Sequence, residues 1–111
     1  MSLDEIRSFL REALGILPTL DLHGLGVKDA LAETERFLRD AQSQGVSSLR
    51  IVYGKGHGSP GGRGVLREVI PHWLDGQGHA LIRRYERRLD ATGADGAVMV
   101  WVRPMEPDDA A

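Results

Sequence analysis

The segment Leu20-Asp21-Leu22-His23-Gly24 places a carboxylate two residues before an imidazole. In an extended strand, residues i and i+2 point to the same face, so Asp21 and His23 would emerge together while the two leucines face a core. A carboxylate beside an imidazole can fix its tautomer and stabilise its charged form, which suits general acid–base catalysis near neutral pH. The alternative is a surface Asp–His hydrogen bond without a catalytic role, since this short pattern is common.

A glycine-rich segment follows further along the chain, with six glycines in the eleven positions from Gly54 to Gly64. Glycine lets backbone N–H groups approach an anion without a side-chain clash, and the segment leads into a predicted helix, whose N-terminus favours phosphate. Lys55 and Arg63 add positive charge within the segment, and Arg67 follows one helical turn later. A connection that merely tolerates glycine would not explain these interleaved cations, so we predict a phosphate-binding loop.

The same loop contains a literal G-x-G-x-x-G at Gly56, Gly58 and Gly61, between a predicted strand and a predicted helix. Glu86, at the end of the next predicted strand, stands where a ribose-binding acid would be expected. Three features argue against a dinucleotide site: the loop is too long, it contains Pro60, and the chain lacks a second mononucleotide-binding half. No Gly-Lys-Ser/Thr follows at P-loop spacing. A nucleotide-binding domain therefore remains an alternative hypothesis.

A third candidate is the basic segment from Arg83 to Arg88, in which Arg83, Tyr85 and Arg87 would share one face of a strand. Arginines that flank a tyrosine can pair with phosphates while the ring stacks on a base. The alternative is an edge strand whose charges prevent aggregation. His72 and His79 show no spacing typical of a metal site.

Charge is distributed unevenly along the 111 residues, although the formal net charge is only −2. Residues 50–88 carry eight basic and three acidic side chains, a balance of +5, whereas the remainder carries −7. A local positive field of this kind favours a polyanionic partner even when the whole chain is slightly acidic. The chain has no cysteine, which excludes disulfides and thiolate metal sites. It also lacks an apolar run long enough for a membrane span and the layout of a signal peptide, so we expect no membrane partner and a cytoplasmic location.

These candidates need an alternating arrangement of helices and strands to bring them together. Hydrophobic periodicity predicts an N-terminal helix over Leu3–Leu14, in which Ser2 and Glu5 form a capping box. Further helices are predicted over Val27–Gln44 and Val65–Leu74, and strands over Thr19–His23, Ser48–Tyr53, Ala80–Arg87 and Ala97–Arg103. The predicted fold class is α/β, a two-layer sandwich in which a four-stranded mixed sheet packs against two main helices, with the N-terminal helix in addition. We expect residues 1–18 to form a helical extension, residues 19–104 the domain and residues 105–111 an acidic tail.

The order of these motifs resembles the Smr (small MutS-related) domain family. The resemblance rests on the D-x-H segment, on Gly54-Lys55-Gly56 at the entrance of the loop, on Gly64-Val65-Leu66-Arg67 before Trp73-Leu74, and on the segment from Gly93 to Ala97 before the last strand. It covers about residues 20–103 and implies a fold similar to the C-terminal domain of translation initiation factor 3. It also implies nucleic-acid binding and, in several members, nicking or endonuclease activity on DNA or RNA. Further implied partners are the ribosome or the repair and recombination machinery.

From the motifs and the resemblance together we predict a nicking endonuclease or phosphodiesterase acting on DNA or RNA, with Asp21, His23 and Lys55 as its catalytic residues. The residues predicted to bind phosphate or nucleic acid are Gly54, Gly56, His57, Gly58, Ser59, Arg63, Arg67, Arg83 and Arg87. A non-catalytic nucleic-acid-binding module is the alternative. Many family members have histidine at the position of Tyr53 and others at that of Gly58, so a second catalytic histidine is left open. The cofactor is also open, with a divalent cation such as Mg²⁺ at Asp21 as one hypothesis.

Overall fold

The computed structural model describes residues 2–54, 64–89 and 95–105. The predicted phosphate-binding residues from Lys55 to Arg63 therefore lie outside the described residues, as does the acidic tail from residue 106. Helices extend over α1 (Leu3–Ala13), α2 (Val27–Ser43) and α3 (Leu66–Asp75), and a 3-10 helix covers Gln77–Leu81. The strands are β1 (Thr19–Asp21), β2 (Ser48–Val52), β3 (Ile82–Leu89) and β4 (Asp95–Val102).

The four strands form one mixed sheet in the order β1-β2-β4-β3. β1 pairs in parallel with β2, because α2 carries the chain back between them, and β4 runs antiparallel to both β2 and β3. The predicted four-stranded mixed sheet with α/β layers is thereby confirmed. It follows from this topology that β1, β2 and β3 all end at the same edge of the sheet, here called the carboxyl edge.

The main core lies between one face of the sheet and the helices α2 and α3. Apolar side chains alternate along the central strands, so that Leu49, Ile51, Val98 and Val100 are fully buried against the helices. The opposite face carries a smaller cluster of Leu17, Met99 and Trp101. Arg84 covers this cluster, with its guanidinium carbon 3.7 Å from the centre of the Trp101 ring.

The helix α1 begins as its sequence predicts. The Ser2 hydroxyl accepts the backbone N–H of Glu5 at 3.1 Å, which is the N-cap bond of the expected capping box, and it donates to the Glu5 carboxylate at 3.2 Å. Its apolar side chains, however, are exposed rather than packed into the core. Among the described residues, no helix is both long enough and apolar enough to cross a bilayer.

Several predicted boundaries were wrong by one or two residues. β1 ends at Asp21 rather than His23, because the chain turns there around the Asp21 carboxylate. β3 begins at Ile82 rather than Ala80, since the 3-10 helix occupies the preceding residues. α3 continues through Pro71 to Asp75 instead of ending at Leu74.

Candidate functional site at the carboxyl edge of the sheet

The turn after β1 brings Asp21 and His23 together, but through the backbone. One carboxylate oxygen of Asp21 accepts the backbone N–H of His23 at 2.9 Å, an arrangement in which a short polar side chain replaces the next strand hydrogen bond. Leu22 between them is fully buried, and its N–H donates to Val52 O at 2.8 Å. Both Asp21 and His23 are exposed. The two residues lie together at the end of β1 as predicted, but the bond observed joins the Asp21 carboxylate to the His23 backbone and holds the turn. The predicted contact between that carboxylate and the imidazole stays a prediction.

Gly54 connects the His23 turn to the glycine-rich loop. Its φ of +90° lies in the left-handed region, which L side chains rarely adopt. A Cβ placed on Gly54 would lie 3.5 Å from His23 Cδ2 and 3.6 Å from His23 Cα. The backbone therefore passes directly against His23 as it enters the segment that begins with Lys55.

Tyr53 fixes the position of Gly54 from within the core. Its side chain is buried, its hydroxyl donates to Ala97 O at 3.1 Å, and its N–H donates to Gly96 O at 3.1 Å. These bonds continue the pairing of β2 with β4 by one residue beyond Val52. The Tyr53 hydroxyl is thus engaged inside the fold, where it supports the end of β2 beneath the site.

The first turn of α3 lies at the same edge and holds Arg87 of β3. Pro71 has no N–H, so it cannot form the helical hydrogen bond to the carbonyl of residue 67, four positions earlier. That carbonyl instead accepts Nη1 of Arg87 at 3.3 Å. Arg67 and Arg87 are both exposed, and the contact joins the Arg87 guanidinium to the backbone of Arg67 at the start of α3.

The distance between the histidine turn and this pair of arginines follows from the strand order. β1 and β3 are separated by β2 and β4, and neighbouring strands lie about 4.8 Å apart, which gives a separation of roughly 14 Å across the edge. Along the axis of a nucleic-acid duplex, that distance covers roughly four nucleotides of one strand. The site is therefore wide enough for a short stretch of phosphate backbone. In the sequence, the glycine-rich segment connects β2, on one side of the site, to α3, on the other.

Comparison with known proteins identifies the family of this domain. The family model described as the Smr domain matches residues 20–103. This chain belongs to the Smr domain family. It is 35% identical over 91 residues to Endonuclease MutS2 of Pelotomaculum thermopropionicum, a match that covers 82% of this chain and 11% of that protein. The chain thus corresponds to about a tenth of the length of such curated relatives.

Solved structures show the same fold. The crystal structure of the Smr domain of Thermus thermophilus MutS2 matches with a TM-score of 0.65 at 31% sequence identity, covering 79% of this chain and 100% of that one. The solution structure of the B3BP Smr domain matches with a TM-score of 0.56 at 25% identity, covering 89% of this chain and 90% of that one.

Not every predicted residue of this Smr domain lies at the carboxyl edge. Arg83 lies near the opposite end of β3, where a register shift interrupts the pairing with β4 and where it lines a groove with Gln42 and Met105. Four residues along a strand correspond to about 13 Å, so Arg83 and Arg87 lie at different ends of β3. The structure therefore brings together Asp21, His23 and Gly54 on one side and Arg67 with Arg87 on the other.

The remaining polar residues of β3 have structural partners. The Tyr85 hydroxyl donates to the Asp75 carboxylate at 2.9 Å, and burial together with this bond raises the pKa of Tyr85 above its usual 10.0. Tyr85 is packed against the main core, so its ring does not stand free for a base to stack on. Glu86 accepts bonds from Arg84 at 2.5 Å and Arg88 at 2.8 Å, and the bond from Arg84 is the main cause of its lowered pKa. The ribose-binding role of Glu86 stays a prediction, because the three glycines of the G-x-G-x-x-G pattern, Gly56, Gly58 and Gly61, all lie outside the described residues.

Sequence analysis did not predict an acidic groove beside β1. Asp21, Asp29 and Glu33 line this groove, which has a volume of about 430 Å³, together with Leu20, Leu25 and Ala32. The signal in the sequence is the spacing of Asp29 and Glu33 by four residues, which places both on one face of a helix. Within residues 2–54, 64–89 and 95–105, no group of three or more His, Asp or Glu side chains is arranged to hold a metal ion.

Proposed function

We propose that this Smr domain binds DNA or RNA across the carboxyl edge and cleaves one phosphodiester bond beside His23. The observation that carries the proposal is the close approach of the Gly54 backbone to His23, such that a Cβ added to Gly54 would be in van der Waals contact with His23. It brings a side chain capable of acid–base chemistry next to the entrance of a glycine-rich, lysine-bearing segment, at the edge where Arg67 and Arg87 also lie. Endonuclease is the activity in the name of the MutS2 relatives, and it agrees with this chemistry.

In the proposed reaction His23 accepts a proton from the attacking oxygen, which is water or, in RNA, the neighbouring 2′-hydroxyl. That oxygen forms a bond to phosphorus, the bond from phosphorus to the leaving oxygen breaks, and the leaving oxygen takes a proton from solvent. Backbone N–H groups of the glycine-rich segment and the Lys55 ammonium would stabilise the extra negative charge on the phosphate. The contribution of Asp21 in this scheme is to fix the turn on which His23 stands.

The acidic groove gives the proposed path a direction. The Asp29 carboxylate repels phosphate beyond β1, whereas Arg67 and Arg87 attract it near β3. We therefore propose that the backbone of the nucleic acid runs from His23 toward the first turn of α3 and does not continue past the outer edge of β1.

The deciding experiment compares cleavage and binding in His23→Ala and His79→Ala. Both histidines are exposed, but His79 lies in the 3-10 helix before β3, which makes it the matched control. Purified protein is incubated with supercoiled plasmid and with structured RNA, in Mg²⁺ and in EDTA. We expect His23→Ala to slow cleavage by about 10²–10⁴-fold while affinity changes less than about twofold, and His79→Ala to resemble the native protein. Equal loss of binding and cleavage in His23→Ala would instead give His23 a structural role.

A non-catalytic binding module is the second candidate, and one observation favours it. The Asp21 oxygen described above accepts a backbone N–H, so Asp21 is engaged in shaping the turn. On this hypothesis the protein binds nucleic acid with a steep salt dependence and yields no cleaved product under any of the conditions above.

A further inference from the structure

The most unusual surface of the molecule is the apolar face of α1. Five side chains on this helix and its last turn are largely exposed: Leu3 (62%), Ile6 (41%), Phe9 (64%), Leu10 (50%) and Leu14 (70%). At 3.6 residues per turn they cover a single stripe about 140° wide. A contiguous apolar stripe of this kind marks an interaction site, in contrast to scattered single exposed residues.

The stripe points away from the domain. Arg11 lies on the other side of α1, where its guanidinium donates to the Ser47 hydroxyl at 3.5 Å, just before β2. The chain then packs Leu17 into the cluster with Met99 and Trp101. Arg11 and Leu17 therefore contact the domain, while the apolar side chains of the stripe remain exposed to solvent.

The two flanks of the stripe carry opposite charges. Arg7 borders it on the side of Leu14, and Glu5 borders it on the side of Phe9, according to the helical spacing. When two such helices pair in parallel about a two-fold axis along their length, the Arg7 flank of each copy faces the Glu5 flank of the other. An antiparallel pair would bring like flanks together, so the pattern of charges selects the parallel arrangement.

We propose that α1 is a self-association surface, through which two copies of this chain pair their apolar stripes in parallel. The apolar stripe of one copy thus packs against the same stripe of a second copy, related by two-fold symmetry. The exposed side chains offer on the order of 500 Å² per copy, so a pair would bury about 1,000 Å², near the lower limit for a specific interface. The dimer is therefore expected to dissociate at roughly 10–100 µM. This proposal does not depend on nuclease activity.

Sedimentation equilibrium of the whole chain tests the surface. We expect the mass to rise toward twice the monomer value across that concentration range, and Leu10→Glu to weaken association at least about tenfold. Leu89→Glu is the matched control, because Leu89 is an exposed leucine on β3 (70%) and should leave association unchanged. Leu10→Ala retains a strong helix former and should weaken association by about threefold, so that loss of the helix cannot account for the result. A monomer at every concentration, or equal effects of Leu10→Glu and Leu89→Glu, would overturn the proposal.

Charge reversal tests the orientation. Arg7→Glu alone should weaken association by about fivefold because it faces Glu5 of the second copy, and an equimolar mixture of Arg7→Glu and Glu5→Arg should recover it as a heterodimer. In an antiparallel pair the mixture of Arg7→Glu with native protein would associate more strongly than native protein alone. That result would overturn the parallel arrangement.

Discussion

The two sides of the carboxyl edge are built differently. On the β1–β2 side, His23 stands on a turn held by a carboxylate, packs against a glycine with positive φ and adjoins an acidic groove. On the α3–β3 side, Arg67 and Arg87 are exposed cations, joined through a carbonyl that a proline leaves available. Both sides lie at the carboxyl edge, but the first carries an imidazole suited to acid–base chemistry and the second carries cations suited to phosphate binding.

This difference indicates a division of labour within the proposed function. A rigid backbone around His23 suits a group whose position relative to one phosphorus atom decides the rate. Exposed arginines suit the binding of phosphates, because the attraction between the charges varies only gradually with distance. Substitutions on the first side should therefore alter cleavage more than affinity, and those on the second side affinity more than cleavage.

Apart from His23→Ala, the largest expected effect on cleavage comes from Gly54→Ala. The new Cβ would contact His23 and force a side chain into a φ of +90°, so we expect cleavage to slow by about tenfold with affinity nearly unchanged. Gly45→Ala is the control, because Gly45 has a φ of +73° but no atom within 4 Å of its added Cβ. Both variants should lose about 1–2 kcal/mol of unfolding free energy, as measured in urea. A similar slowing in Gly45→Ala would show that general destabilisation is responsible.

Arg87→Ala should show the opposite pattern. Loss of one phosphate contact is expected to weaken nucleic-acid binding by about fivefold and to lower the slope of log affinity against log salt by about one. Cleavage at saturating substrate should change less than about twofold. Arg83→Ala serves as the control, because Arg83 lies at the other end of β3. An equal loss of affinity in both variants would remove the α3–β3 side from the proposed path.

Pro71→Ala tests whether the Arg67 carbonyl, which Pro71 leaves without a helical partner, positions Arg87. Alanine restores an N–H that can bond to Arg67 O, so it competes with the Arg87 guanidinium for that acceptor. We expect affinity to fall by about twofold while the melting temperature stays the same or rises. If affinity falls together with the melting temperature, packing of the buried proline ring is the cause and the positioning role is wrong.

Local patterns predicted much of this molecule. The N-cap bond between Ser2 and Glu5 and the alternation along β2 and β4 depend on residues only a few positions apart, and the structure has both. The proximity of Asp21 and His23 was predicted for the same reason. The hydrogen bond from the His23 backbone N–H to the Asp21 carboxylate was not predicted. An aspartate can accept a hydrogen bond from a backbone N–H as readily as from a side chain, and the sequence does not decide between them.

Contacts between distant segments account for what the sequence did not predict. Proline inside a helix usually kinks or ends it, but α3 continues through Pro71, and the carbonyl of Arg67 accepts a bond from a side chain twenty positions further along the chain. The alternation of Arg83 with Arg87 assumed an uninterrupted strand, whereas the register shift near Arg83 depends on the pairing with β4. Neither feature has a local signal.

The smallest expected effect is a dependence of stability on alkaline pH at the α3–β3 side. The folded protein holds the pKa of Tyr85 above 10.0 through burial and the bond to Asp75, so above that pH the unfolded chain releases this proton first. The unfolding free energy contributed by Tyr85 is therefore complete below about pH 10 and declines as the pH rises further. Urea denaturation at pH 8 and at about pH 10.5 should show a smaller decline in Tyr85→Phe, which has no proton to lose at this position. An identical decline in both proteins would mean that the Tyr85–Asp75 bond does not fasten α3 to β3, and Arg87 would then depend on its bond to the Arg67 carbonyl for its position.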